Sequence, residues 1–374
     1  MKKRGLLKTY IYIIFLMSSV LSSVNGEPND TGEIQFQSLA KEQVPEVLNF
    51  LSTAIKSNYE KITTWKGEAD FLSEQIIDGD EAGNIFRKKT DGKGAVPQSI
   101  LRLKTANIQF IIDVANDSIY EHIFREDPIR YFNNESGNDL GTKSRLHEAV
   151  SIVTPQEFIH CVPRQLKGNT ITSYRAIKQT SRQKETIARK GIFDPRLLIY
   201  MGNPVWNYLD SWRRRFQESN GEVKVGNYSP IFEEGRSGDN IVYHLLLPAR
   251  TAEDNYTFLN MYFSSEAGYN MTKLQVLGPD YKVYANMNCE YYVLNGIYIP
   301  KRIETQDFNL DNGTVRYKEQ YILINQQLNQ SLDKNTFTYK NLGLKNGDKF
   351  IDKIENREYI YQDANLVFVA DVNK

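Results

Sequence analysis

The sequence predicts a mainly β protein of the α+β class, built on an antiparallel sheet. Three observations predict it. From residue 240 onward, segment after segment alternates apolar and polar residues between short turn signals. The aromatic residues are mostly Tyr and Phe, 23 and 18 of them, which suit the half-buried surface of a strand. One long amphipathic helical stretch precedes the strands, and a sheet with one apolar face needs such a cover.

The first residues stand apart from this body. Lys2, Lys3, Arg4 and Lys8 form a basic opening, an apolar stretch runs from Tyr10 to Leu21, and the chain turns small and polar at Ser22 and Ser23. Val24 and Gly26 suit the −3 and −1 positions of a signal peptidase, so residues 1–26 read as a signal peptide cleaved after Gly26. The stretch is short for a bilayer span, and no later one is long and apolar enough. The chain therefore reads as periplasmic or secreted and not as an integral membrane protein. The signal carries four basic and no acidic groups, so 46 basic and 46 acidic side chains become 42 and 46, a net charge of −4. That balance gives no general attraction to nucleic acid.

Residues 27–42 read as a polar leader. Over 43–62, Val44, Val47, Leu48, Leu51, Ile55, Tyr59 and Ile62 recur at helical spacing, with Pro45 in the first turn. A strand follows from Trp65 to about Ile77, then a polar, Gly-rich connection over 78–96. Ile108, Phe110, Ile112 and Val114 alternate as one face of a strand, Asn116 and Asp117 make a turn, and 118–126 return. Residues 127–235 show weak periodicity and scattered prolines and read as a mixed insertion with one helix at 204–219. Strands are predicted at 240–248, 256–264, 271–277, 281–294, 297–308 and 314–326. Asn295-Gly296 and Asp311-Asn312-Gly313 are hairpin turns between them. Residues 327–374 form a C-terminal extension with short strands near 357–361 and 365–369.

Little of this announces a reaction. His122, His147, His160 and His244 form no metal-ligand spacing, and His244 reads as a hydrogen-bonded sheet histidine. His160 and Cys161 are neighbours, but a nucleophile pair needs proximity in the fold, which adjacency on a strand does not supply. Cys161 and Cys289 permit one bridge, and a buried free thiol is an equal reading; Val283, Ala285, Met287, Cys289, Tyr291 and Val293 share one face by alternation. The loops at Asp78–Gly83 and Asp307–Gly313 invite a calcium reading, but Lys89 and Lys318 fall at the last ligand position, so both read as turns. No phosphate loop or nucleophile elbow is present, and none of the 46 carboxylates sits in a glycosidase motif. Trp206, Trp212, Phe216 and Arg213–Arg215 allow a membrane-surface helix; the favoured reading is an aromatic face packed on the protein with solvated arginines. No enzyme, cofactor or metal is expected.

The order of elements, with the segments Ile55–Phe71 (IKSNYEKITTWKGEADF), Gly268–Leu277 (GYNMTKLQVL) and Asn295–Glu304 (NGIYIPKRIE), resembles the LolA-like superfamily of periplasmic lipoprotein carriers. The tail Gly343–Asp352 (GLKNGDKFID) resembles those of long variants without an assigned role. The resemblance covers 43–125 and 240–326, so residues 43–326 are expected to form one LolA-like domain interrupted at 127–235. It implies a half-open β-barrel, a curved antiparallel sheet with helices on its concave face and an apolar cavity for acyl chains. It implies a carrier in the cell envelope, related to outer membrane lipoprotein sorting, whose partner is a lipid or a lipoprotein acyl chain. Burying each acyl methylene contributes about 0.8 kcal/mol. The expected cavity lining is Leu48, Leu51, Ile55, Trp65, Phe110 and Ile112. An arginine helps lock the lid in that group; none here aligns with it, so no functional residue is carried over. The alternative is a structural or regulatory module that binds an envelope protein through 127–235; a secreted hydrolase ranks below both.

Overall fold

The structure, a computed structural model, describes residues 34–90, 99–125, 129–133, 139–143, 147–167, 170–181, 193–196, 204–250, 256–309 and 313–372. The predicted signal peptide, part of the leader, residues 91–98 of the Gly-rich connection and the Asp311-Asn312 turn lie outside them. The described chain is mainly strand, with three α-helices. It forms two compact units. One takes in the described residues up to Lys61, with Ser73–Ile77 and 199–320; the other takes in Ile62–Leu72, 78–198 and the described residues from Tyr321 on.

In chain order the elements are β1 (Gln35–Ser38), α1 (Val44–Tyr59), β2 (Thr64–Asp78), α2 (Gly79–Thr90), β3 (Ser99–Asp113), β4 (Ser118–Arg125), β5 (Ile129–Asn133) and β6 (Asp139–Lys143). They continue as β7 (His147–Val153), β8 (Glu157–Lys167), β9 (Thr170–Thr180), α3 (Val205–Glu218), β10 (Ile231–Ser237), β11 (Asn240–Arg250), β12 (Tyr256–Ser264) and β13 (Met271–Leu277). The last are β14 (Val283–Leu294), β15 (Ile297–Phe308), β16 (Val315–Leu328), β17 (Lys349–Asp352), β18 (Arg357–Gln362) and β19 (Asn365–Asp371).

The first unit is an antiparallel ladder in the order β1, β10, β11, β12, β13, β14, β15. Strand β1 falls within the predicted leader, where two polar glutamines alternate with Phe36. The Asn295-Gly296 turn has both residues at positive φ, 53° and 73°, as a two-residue hairpin between twisted strands requires. Helix α1 covers this sheet. Val44, Leu48, Leu51 and Ile55 are at most 2% exposed, one apolar stripe of the kind the periodicity predicts. Asn58, buried at the end of that stripe, ties helix to strand: its Nδ2 donates to the Tyr298 carbonyl at 2.7 Å, and its Oδ1 accepts from the Tyr298 N–H at 2.8 Å. Helix α3 packs beside α1 with Trp212 and Phe216 buried, while Arg214 and Arg215 are exposed, so its aromatic face is turned inward.

The second unit has β3 pairing β4 along its second half and β5 along its first. From β4 the ladder runs β7, β8, β9, all antiparallel, then β17 in parallel with β9, then β18 and β19. Weak periodicity over 127–235 thus conceals β5 to β9. The Gly-rich connection expected after Ile77 is instead helix α2 over residues 79–90, which buries Ala82 and Phe86, one turn apart on one face. On one side of this sheet Trp65 meets Phe110 edge-on at 6.0 Å, and Phe110, Phe193, Tyr321 and Phe71 continue the aromatic row. The Trp-x-Gly pair has its reason here. A Cβ on Gly67 would lie 2.9 Å from the Phe110 ring, so only glycine admits that ring. Nε1 of Trp65 donates to Oε1 of Gln326 at 2.9 Å, which satisfies the indole in the core. On the other side the tail packs Leu342, Leu344 and Phe350 against Val150, Ile152, Cys161 and Ala176.

Candidate functional site

The six residues expected to line a cavity fall in different units. Leu48, Leu51 and Ile55 lie on the buried stripe of α1 in the first; Trp65, Phe110 and Ile112 lie in the core of the second. All six are fully buried, with 0% exposure.

The first unit carries an open cavity at the start of α1. Its volume is about 440 Å³, and its apolar walls are Leu39, Val44, Phe216, Pro230, Ile231 and Phe232. Val44 is one helical turn before Leu48 on the same stripe, so the cavity begins where the stripe begins. The local structure holds these walls in place. The Leu39 N–H donates to the Phe232 carbonyl at 2.9 Å, and the Gly221 N–H closes the end of α3 on the Phe216 carbonyl at 2.8 Å. Phe216 and Phe232 meet edge-on at 5.6 Å. The rim is charged: Lys41 Nζ is 3.8 Å from Glu222 Oε1, both well exposed, with Lys224 beside them. An apolar pocket of this volume with a charged lip suits a ligand with a greasy body and a polar end.

His244 and His160 are held by neighbours within their sheets. His244 stands between Glu233 at 2.7 Å and Asn260 at 2.5 Å, the hydrogen-bonded sheet histidine that its surroundings predict. His160 bonds Ser151 at 3.1 Å and stacks on Phe158. Cys161, the next residue on β8, points to the opposite face, where burial pushes its thiol up to about 12. The two therefore form no nucleophile pair. Cys289 is also a buried free thiol, pushed up to about 12 by burial. The shared face read around it breaks at a bulge between Glu290 and Tyr291, which leaves Cys289 buried and Val293 52% exposed. Among the described residues no group of three or more His, Cys, Asp or Glu is placed to hold a metal ion. No described helix is long and apolar enough to cross a membrane.

Two arrangements went unseen in the sequence. Glu148 lies between His122 and Tyr174, with one carboxylate oxygen 2.9 Å from His122 Nε2 and the other accepting from the Tyr174 hydroxyl at 2.7 Å. Glu121 is 3% exposed and accepts from the Phe193 N–H at 2.6 Å; burial pushes its carboxyl up to about 7. No local pattern signals either, since an acidic residue in an alternating segment reads as solvent-facing.

No family model matches the chain, and no curated protein matches its sequence. Among solved structures it is similar to a DUF1329 family protein from Desulfovibrio piger, at 8% identity over 79% of this chain and 98% of that one, with a TM-score of 0.36. It is similar to a Vibrio parahaemolyticus domain described as outer membrane lipoprotein-sorting, at 10% identity over 81% and 99%, with a TM-score of 0.37. It is also similar to a LolA superfamily protein from Nitrosomonas europaea, at 10% identity over 78% and 99%, with a TM-score of 0.31.

Proposed function

We propose that this protein is a non-catalytic binding protein of the cell envelope that holds the acyl chain of a lipid or lipoprotein. The observation that carries the reading is the open cavity of the first unit, about 440 Å³, with apolar walls and a polar rim, at the head of the α1 stripe. Its volume falls within the range of small-molecule sites, roughly 300–1,000 Å³. In this reading the chain enters over Val44, Phe216 and Phe232 and extends along Leu48, Leu51 and Ile55 as α1 lifts from its sheet. Each methylene withdrawn from water contributes about 0.8 kcal/mol. Trp65, Phe110 and Ile112 are proposed as apolar lining that becomes available only when the core of the second unit opens. The sequence likeness of 55–71, 268–277 and 295–304 to lipoprotein carriers supports the same reading, as does the basic and apolar opening of the chain, which would deliver it to the periplasm.

The test is organic extraction of the purified protein with mass spectrometry of the extract, then titration of the delipidated protein with a fluorescent fatty acid. The expected result is co-purified lipid and a saturable fluorescence change. Ile231→Trp, which fills the cavity from a partly exposed position, should weaken probe binding roughly tenfold. A lipid-free extract together with a flat titration of the wild-type protein would overturn the proposal.

A further inference from the structure

We propose that the second unit holds a separate binding site for a small oxyanion, a carboxylate or phosphate group, in the polar cavity beneath residues 340–343. This cavity has a volume of about 320 Å³. Strands β4, β7 and β9 supply His122, Glu148 and Tyr174, and the tail supplies Lys340 and Asn341. The tail wall is built into the fold: Leu342 is 2% exposed in the core below, and the Thr338 side chain accepts from the Lys340 N–H.

The ligand class follows from which groups are already engaged. Glu148 is the carboxylate of the cavity, and each of its oxygens has a partner, His122 on one and the Tyr174 hydroxyl on the other. Asp348, whose charge also acts on Tyr174, is 2% exposed and accepts from the backbone N–H groups of Tyr174 and Lys345 at 2.8 and 2.7 Å. Lys345 lies over the Tyr174 ring at 5.6 Å. Both carboxylates are thus hydrogen-bonded, while Lys340, exposed at the edge, is paired with no described carboxylate. A cation entering here would find both carboxylates already engaged and a lysine opposing it. An acyl chain would strip water from Lys340, His122 and Glu148 without replacing it. An oxyanion meets the ammonium in a charge-assisted hydrogen bond. The site does not rest on the lipid-binding reading, which concerns the other unit.

The experiment is an NMR titration of the full mature chain with inorganic phosphate and, separately, with acetate at equal ionic strength. Saturable shifts confined to the amides of 340–343, Val150 and Tyr174 are expected. Lys340→Met should weaken binding at least roughly tenfold, and Lys282→Met, at an exposed position of the first unit outside both cavities, should leave it unchanged. Glu148→Gln keeps an acceptor for the Tyr174 hydroxyl, turns an amide N–H toward His122 Nε2 and removes a repelling charge, so binding should tighten several-fold. Whichever anion binds more tightly identifies the source as a phosphate ester or a carboxylate. Absence of saturation with both anions, or shifts unaltered in Lys340→Met, would overturn the proposal.

Discussion

Glu121 shows how one residue couples the fold to pH. Its carboxyl is buried among apolar neighbours with a single backbone N–H for company, so the neutral form is favoured and its pKa stands at about 7. The unfolded chain releases this proton first, near the ordinary carboxylate value of 4.5. The folded state therefore binds more protons between those two values, and stability falls as pH rises through that window and levels off above it. At about 1.4 kcal/mol for each pH unit the loss is on the order of 3 kcal/mol. Glu121→Gln keeps the acceptor for Phe193 and should remove that share of the slope; urea unfolding of both proteins at pH 4.5 and 7.5 checks it. Asp307, pushed up to about 7 by burial and by the neighbouring charge of Glu319, contributes with the same sign in the first unit. Neither carboxylate was legible in the sequence, because an acidic residue in an alternating segment reads as a solvent-facing position until the layer above it is known.

At the scale of the element, α1 decides the first unit. Its stripe was legible because Val44, Leu48, Leu51 and Ile55 repeat at helical spacing. Asn58 was not, since a polar residue on that stripe gives no sign of its partner. Its side chain meets both backbone groups of Tyr298, so Asn58→Ala leaves a buried N–H and carbonyl unpaired. The expected cost is about 2 kcal/mol, with faster amide hydrogen exchange across α1 than across β11 and β12. A protein equally stable, with unchanged exchange in α1, would show that the apolar stripe alone holds the helix. Helix α2 illustrates the opposite case: Gly79 and Gly83 mark a loop by composition, and what fixes the helix is the burial of Ala82 and Phe86 one turn apart.

For the molecule as a whole, each unit contains one cysteine, Cys289 in the first and Cys161 in the second, and each thiol is buried and raised to about 12. A thiol so placed is inert as well as unbridged. The expected outcome is no reaction with Ellman's reagent in the native state and two equivalents after unfolding, without reductant. A single native equivalent, or none after unfolding, would show that one site opens or that a bridge forms.

The sequence by itself determined the period of each strong element: the α1 stripe, the strands from 240 to 328, the Asn295-Gly296 turn and the aromatic helix at 205–218. These are local patterns, set by side-chain alternation, helical spacing and φ preferences within a few residues. Only the tertiary structure decided where the cavities lie and which charges meet. The first cavity needs Leu39 with Val44, Phe216 and Phe232 from three separate stretches, and the second needs His122, Glu148, Tyr174 and Lys340 from four more. Cavities and charge partners come from strand order and register, which bring together residues too far apart in sequence for any local period to connect them.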